Sequence, residues 1–190
     1  YRLSEVDPEK LYGHWERFVD QLHSENTYHK LSALNILANL VQVDAENRFD
    51  ALFDTYFGLL KSWSLIVIRY AAMNGGKIAL AKPRLQGKIT EHLLRVEQLE
   101  HKQSELIKSD VVDAFDAYYL SSDDQAAMMG FVERQLSSTS PRTRKRARSF
   151  LEKYKNPWER PGARRSRSGC AGMIPDRIIP AHTRIEGENR

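Results

Sequence analysis

The sequence of 190 residues predicts an all-α fold, an α-solenoid of about four stacked helical hairpins. Three observations favour this class. Apolar residues recur with the 3.6-residue period of a helix up to about residue 155. No segment combines strand alternation with turn dipeptides, so we expect essentially no sheet. The predicted helices also fall into pairs that begin at a nearly constant step, which is typical of a repeat architecture.

Eight helices are predicted, and most begin at a recognisable start signal. Asp7-Pro8 and Ser140-Pro141 place a capping residue before a proline at the first helical position, where the missing N–H costs nothing. Lys82-Pro83 ends one helix and begins the next, and Ser122 with Gln125 fits a capping box. The other start signals are Asn26 or Thr27, Asp44, and Ser62 or Ser64. The predicted helices cover residues 8–23, 27–43, 46–60, 64–81, 83–97, 104–120, 122–136 and 141–154.

The first helices of the four pairs begin near residues 8, 46, 83 and 122, at steps of 38, 37 and 39 residues. Residues one step apart share their character. One column of the first helices is Phe18, Tyr56, Leu93 and Val132. The columns of the second helices are Leu34, Ala71, Val111 and Ala147; Ala38, Gly75, Phe115 and Leu151; and Val41, Ile78, Tyr118 and Tyr154. A single hairpin cannot bury both faces of its helices, so we expect these columns between neighbouring hairpins.

Two segments resemble the HEAT family of helical repeats. The first is Val67-Ile-Arg-Tyr-Ala-Ala, followed by Gly76-Lys-Ile-Ala and then Pro83-x-Leu85. The second is Ser140-Pro-Arg-Thr-Arg-Lys-Arg-Ala147, which leads into Phe150-Leu151. The resemblance covers residues 8–154, although the first unit lacks the proline and the arginine of the pattern and the 101–109 connection is longer than usual. It implies a non-catalytic scaffold whose concave surface binds a protein partner.

Charge and composition divide the chain at residue 155. Residues 1–141 hold 15 Lys and Arg against 20 Asp and Glu, whereas residues 142–155 hold seven basic residues against one acid. Residues 156–190 contain four Pro, four Gly and seven Arg without a helical stripe, so we expect a disordered tail. The predicted domain is therefore 1–155. The chain starts at Tyr1 without a leader, and we interpret it as a piece of a longer protein.

Two further features bear on the compartment. The only cysteine, Cys170, cannot form an internal disulfide, which favours a reducing, cytoplasmic environment. No apolar run approaches the ~20 residues that a membrane helix needs, so we expect no membrane association.

The sequence offers no complete catalytic, cofactor or metal constellation, and we expect no enzyme. Asn74-Gly75-Gly76-Lys77 lacks the first glycine and the Ser/Thr of a phosphate loop, so it predicts a close approach of two helices instead. Glu16, Asp20 and His23 share a helical face near His29, but a solvated polar face is the simpler interpretation. Cys170 has no partner base nearby in sequence.

The densest charge is the basic run in the last predicted helix. Its candidate contacts for nucleic acid or an acidic partner are Arg142, Arg144, Lys145, Arg146, Arg148 and Lys155. Because Ala147 and its apolar neighbours must face the core, we expect Arg144, Arg148 and Lys155 to point outward. Asp110, Asp113 and Asp116 recur every three residues on another helix, which predicts a wet acidic face open to a basic partner.

The favoured function is therefore protein binding, with a partner that the sequence does not identify. The alternative is a nucleic-acid-binding solenoid that uses the basic end, because the HEAT-like folds include DNA glycosylases that act on alkylated bases. An enzymatic alternative would be a HEAT-like chromophore lyase, for which no specific residue is found.

Overall fold

A computed structural model describes residues 2–99, 101 and 103–155, and the predicted tail lies outside these residues. Within them the chain forms ten α-helices and no strand, so the all-α prediction is confirmed. The helices are α1 (Arg2–Val6), α2 (Glu9–Tyr12), α3 (Trp15–Leu22), α4 (Thr27–Leu40), α5 (Arg48–Gly58), α6 (Leu65–Ala81), α7 (Gln86–Leu94), α8 (Ser104–Tyr118), α9 (Gln125–Arg134) and α10 (Pro141–Lys155).

The predicted helix boundaries differ from the observed ones mainly at the N-terminus and at the helix ends. The predicted helix 8–23 is wrong, because the chain breaks at Gly13 and His14 into α2 and α3, and α1 precedes both. Short 3-10 turns at 41–43, 59–61, 95–98, 119–121 and 135–137 account for the predicted helices that run past an α-helical end. Another 3-10 turn at 83–85 begins with Pro83, so α7 starts at Gln86.

Some of the predicted helix starts have the expected capping hydrogen bonds and others do not. The Asn26 side chain accepts the backbone N–H of Tyr28 at 2.9 Å at the start of α4, as a cap does. The capping box before α9 is wrong: the Ser122 hydroxyl accepts the N–H of Asp124, but the Gln125 amide donates to the carbonyl of Tyr119 at 3.0 Å. The reciprocal bond that defines the box is therefore missing.

Asp44 connects three parts of the N-terminal half. Its buried carboxylate accepts the Tyr12 hydroxyl at 2.7 Å and the backbone N–H groups of Arg48 and Phe49 at 2.9 and 3.1 Å. The Lys82 ammonium lies 3.3 Å from the same carboxylate. Burial raises the pKa of Asp44, but these hydrogen bonds outweigh burial and hold the pKa below its ordinary value. The carboxylate thus fixes α2, the start of α5 and the end of α6 around one charge.

The long helices pack on one another in chain order. α6 lies against α4 and α8, and α8 lies against α6 and α10. α3 packs on α4, while α7 contacts α6, α8 and α9. The predicted columns form much of the core between these helices. Leu34, Ala71, Val111 and Ala147 are all buried, as are Tyr56, Leu93 and Val132, whereas Phe18 and Tyr154 are only half-buried at the two ends of their columns.

Polar contacts repeat at the same step as the apolar columns. The Asn74 amide donates to Asn35 at 3.3 Å across 39 residues, and the Lys77 ammonium donates to Asn39 at 3.3 Å across 38 residues. The Lys153 ammonium donates to Asp116 at 2.8 Å across 37 residues. Equivalent positions of successive helix pairs are therefore neighbours in space as well as similar in sequence.

The predicted close approach of helices at the paired glycines is confirmed. A Cβ atom built on Gly76 would lie 2.7 Å from the carbonyl oxygen of Ala114 and 3.0 Å from the Cβ of Ala117, both on α8. A Cβ on Gly75 would lie 3.3 Å from Leu93. α6 and α8 thus approach through backbone atoms, which only a residue without a side chain allows.

Substituting Gly76 should separate these two helices. We expect Gly76→Ala to lower the free energy of unfolding by about 1–3 kcal/mol, because the clash is with backbone that cannot rotate away. Gly130→Ala is the matched control, since its Cβ would meet nothing closer than 3.5 Å. That control should gain about 0.5–1 kcal/mol from the better helix former. Urea unfolding would measure both, and equal effects of the two substitutions would contradict the close approach.

Candidate functional site

The cations of α10 meet the acids of α8. The buried side chains of Ala147 and Phe150 hold α10 against α8, which leaves the cations on either side of this contact. Nε of Arg146 lies 3.3 Å from Oδ1 of Asp113, and Lys153 pairs with Asp116. The acidic row that the sequence offers to a basic partner is therefore occupied by this chain's own last helix.

Asp110 departs most from the sequence prediction. Its side chain is fully buried, so its assignment to a wet face is wrong. Nε and Nη2 of Arg69 donate to its two carboxylate oxygens at 2.6 and 3.1 Å. Arg142 donates to the same carboxylate at 3.4 Å and to the Ser109 hydroxyl at 3.3 Å. One buried charge thus joins α6, α8 and α10, because both neighbouring helices close over it.

Asp113 keeps a partly exposed carboxylate one turn along α8. Burial raises the pKa of Asp113, and the charge of Asp110 adds to this effect, while Arg146 and Arg142 act in the opposite direction. The Arg146–Asp113 pair, at 3.3 Å, is longer and more exposed than the Arg69–Asp110 pair at 2.6 Å.

The remaining basic candidates divide into paired and unpaired side chains. Nη1 of Arg144 donates to the carbonyls of Ser138 and Thr139 at 2.6 and 3.0 Å, which ties α10 to the connection before it. Lys155 forms an ion pair with Glu133 of α9. Arg144 and Lys155 are thus engaged within the chain. Lys145 and Arg148 are exposed and have no partner in the part of the chain that the structure describes.

Removing Arg69 should cost far more stability than removing Arg146. Arg69→Met leaves the buried Asp110 carboxylate with one distant guanidinium, so we expect a loss of about 3–5 kcal/mol in the free energy of unfolding. Arg146→Met breaks a partly exposed pair and should cost less than about 1 kcal/mol. Chemical denaturation of the two variants would measure the difference, and similar losses would show that Asp110 does not depend on its arginine.

A second candidate surface is the exposed face of α6. Ile66, Met73 and Leu80 recur every seven residues and are 40%, 45% and 55% exposed, with the half-buried Tyr70 between the first two. Sequence reasoning did not single out this face. The available signal was that the apolar residues of α6 cover more of the helix surface than one buried stripe requires.

A third candidate is a groove at the ends of α5 and α7, which we call the Trp63 groove. It consists of a cavity of about 410 Å³ and an adjoining one of about 230 Å³ that share Lys61 and Leu99. Phe57 and Leu60 line the larger cavity, and the 83% exposed Trp63 lines the smaller one. Sequence reasoning did not single out Trp63, because only the tertiary fold brings α7 and the segment after it beside this residue to complete the groove.

The other sequence candidates do not assemble into sites. Glu16, Asp20 and His23 are all exposed, and residues 2–99, 101 and 103–155 contain no group of three His, Cys, Asp or Glu side chains that could hold a metal ion. The Asn74–Lys77 segment lies inside α6 rather than in a loop. Cys170 lies outside the described residues. No helix of the described residues is long and apolar enough to cross a membrane.

The fold and these surfaces define an all-helical protein with repeated packing. Comparisons with protein-family models, with curated proteins and with solved structures give no match.

Proposed function

We propose that the chain is a non-catalytic interaction module with a HEAT-like solenoid arrangement, and that it binds a protein partner through the exposed face of α6. The side-by-side packing of α4, α6, α8 and α10 supports the repeat arrangement, as do the polar contacts 37–39 residues apart. In such an array the two neighbouring inner helices cover two sides of each inner helix and leave a third side open to partners.

The observation that carries the proposal is a row of large apolar side chains on the open side of α6, where Lys77 is the one exposed polar residue between Leu65 and Ala81. Ile66, Met73 and Leu80 are large apolar residues on one line, spread over 14 residues or about 21 Å of helix. Single exposed apolar residues are ordinary, but an aligned set on an inner helix is typical of a binding surface. The spacing matches an amphipathic partner helix laid along α6 through its own apolar stripe.

Placing carboxylates on this face should abolish binding without unfolding the protein. The full chain carrying Met73→Glu and Leu80→Glu should lose the proteins that the unsubstituted chain captures from its native cell extract, because two carboxylates would then oppose an apolar stripe. Val6→Glu is the control, since Val6 is 83% exposed on α1 and lies outside the face. Quantitative mass spectrometry would compare the captured proteins, and thermal melting would verify the fold. Capture that is equal for all three proteins would refute the role of α6.

A second candidate function is contact with nucleic acid through the basic end. The observation in its favour is that Lys145 and Arg148 are exposed on α10 without a partner among the described residues. Against it, Arg142, Arg146 and Lys153 already pair with acids of α8. Two free cations neutralise few phosphates, so this surface supports only weak, sequence-independent binding, with dissociation constants of roughly 10⁻⁴–10⁻⁶ M.

The salt dependence of binding tests this candidate. If Lys145 and Arg148 touch phosphates of duplex DNA, replacing both by Glu should weaken binding to every sequence and reduce the slope of log affinity against log salt by about two. Replacing Arg17 and Lys88 by Glu gives the same charge change at exposed positions on α3 and α7 and should leave the slope nearly unchanged. Fluorescence anisotropy over a salt series would report both. Sub-micromolar, sequence-dependent binding would instead favour nucleic acid over protein as the main partner.

A further inference from the structure

We propose that the Trp63 groove is a second binding site, distinct from the α6 face, and that it takes an acidic peptide segment anchored by one bulky apolar side chain. The inference goes beyond the proposed function because it rests on other residues and names the chemistry of the ligand.

The shape of the groove provides the anchor position. Phe57 and Leu60 are almost fully buried beneath the larger cavity, and the half-buried Leu99 separates it from the smaller one. A volume of about 410 Å³ lies within the range of ligand-binding cavities. The exposed ring of Trp63 gives a flat apolar surface beside this opening, and tryptophan is a frequent hot spot of protein interfaces. An apolar side chain can enter the cavity while its backbone crosses Trp63.

Two cations, Lys61 and Arg95, line the larger cavity. Lys61 is exposed and has no partner among the described residues. Arg95 pairs only with Glu91, one turn back on the same helix, and both side chains are exposed, so this pair contributes little and yields easily to a ligand. No Asp or Glu lines either cavity in the described part of the chain. Burial and the charges of Arg95 and Lys61 lower the pKa of the His92 imidazole, while Glu91 and Asp54 act in the opposite direction.

Two histidines add hydrogen-bonding groups to the lining. The His92 ring packs against the rings of Phe53 and Phe57, with centroids 5.4 and 5.7 Å apart, and its lowered pKa favours the neutral form. Nδ1 of His101 accepts the backbone N–H of Gln103 at 3.1 Å. With Nδ1 accepting this bond, Nε2 is the ring nitrogen left to donate, and His101 lines the smaller cavity.

The other cavities differ from this groove. A cavity of about 190 Å³ between α8 and α10 is lined by Asp113 and Asp116 together with their partners Arg146 and Lys153. One of about 220 Å³ contains Glu105 paired with Lys108. Their charges are already neutralised within the chain. The Trp63 groove combines an apolar base with Lys61, which has no partner among the described residues, and with Arg95, which is held only by the exposed Glu91. This lining complements an acidic segment that carries an apolar residue.

The occupant belongs to another protein. Residues 156–190 of this chain carry seven Arg against four acids, and a net positive segment is repelled by Lys61 and Arg95. A nucleic acid would also supply negative charge and bases to stack on Trp63, but two cations offer little to a phosphate backbone and a peptide uses the apolar cavity better.

Selection from a displayed library of random ten-residue peptides tests the proposal on the full chain. We expect the selected peptides to be enriched in Asp and Glu around one Leu, Met, Phe or Trp. The best peptide should bind about tenfold more weakly to Lys61→Glu and to Trp63→Ala. Lys88→Glu, an exposed charge reversal on α7 outside the groove, should leave its affinity unchanged. Because Lys61 and Trp63 are exposed, these variants should melt at the temperature of the unsubstituted chain, and each melting curve verifies this.

Three outcomes would overturn the inference. These are peptides without acidic enrichment, peptides insensitive to Lys61→Glu, and a ten-nucleotide single-stranded DNA that competes with the selected peptide and binds more tightly. The failure of this inference is separable from that of the proposed function. The variant with Met73→Glu and Leu80→Glu should bind the selected peptide normally, whereas Lys61→Glu should still capture the partner of the α6 face.

Discussion

The buried carboxylate of Asp110 constrains the whole C-terminal half of the protein. A carboxylate without solvent is stable only if cations and donors surround it, and here they come from Arg69 on α6 and Arg142 on α10. The three helices therefore have one arrangement that satisfies this charge. The close contact at Gly76 holds α6 next to α8, where Arg69 reaches Asp110. The buried Ala147 and Phe150 pack α10 against α8.

The pairing of α10 with α8 changes how the basic run of residues 142–155 is interpreted. Seven cations in the last fourteen described residues suggest a surface for phosphates, yet most of them neutralise acids on α8 and α9 or hold carbonyls of the preceding connection. Charge density along the sequence is therefore a poor guide to the available charge on the surface. The unneutralised cations relevant to an anionic partner are few, and Lys61 is far from the basic run in sequence, next to an exposed tryptophan.

The apolar residues of α6 have two separate roles. One set, including Val67 and Ala71, is buried against α4 and α8, while Ile66, Met73 and Leu80 remain exposed. A helix between two neighbours needs a wide apolar stripe, but not residues of this size on its open side. The binding surface that we propose on α6 would account for the surplus. It would differ in chemistry from the proposed Trp63 groove, whose lining includes Lys61 and Arg95.

The sequence by itself determined most of the helices and most of the residues that form the core, although not the break at Gly13 and His14. Leu93 and the column of Leu34, Ala71, Val111 and Ala147 could be assigned because helical periodicity and the 37–39-residue step are properties of the chain that tertiary packing preserves. Tertiary structure alone decided which charges are free. Arg69 and Asp110 are 41 residues apart in the sequence. Lys61 and His101 line one cavity only because the end of α5 approaches the segment before α8. A cation's partner depends on the distance between helices and on the side that each helix presents, and local sequence patterns do not encode either quantity.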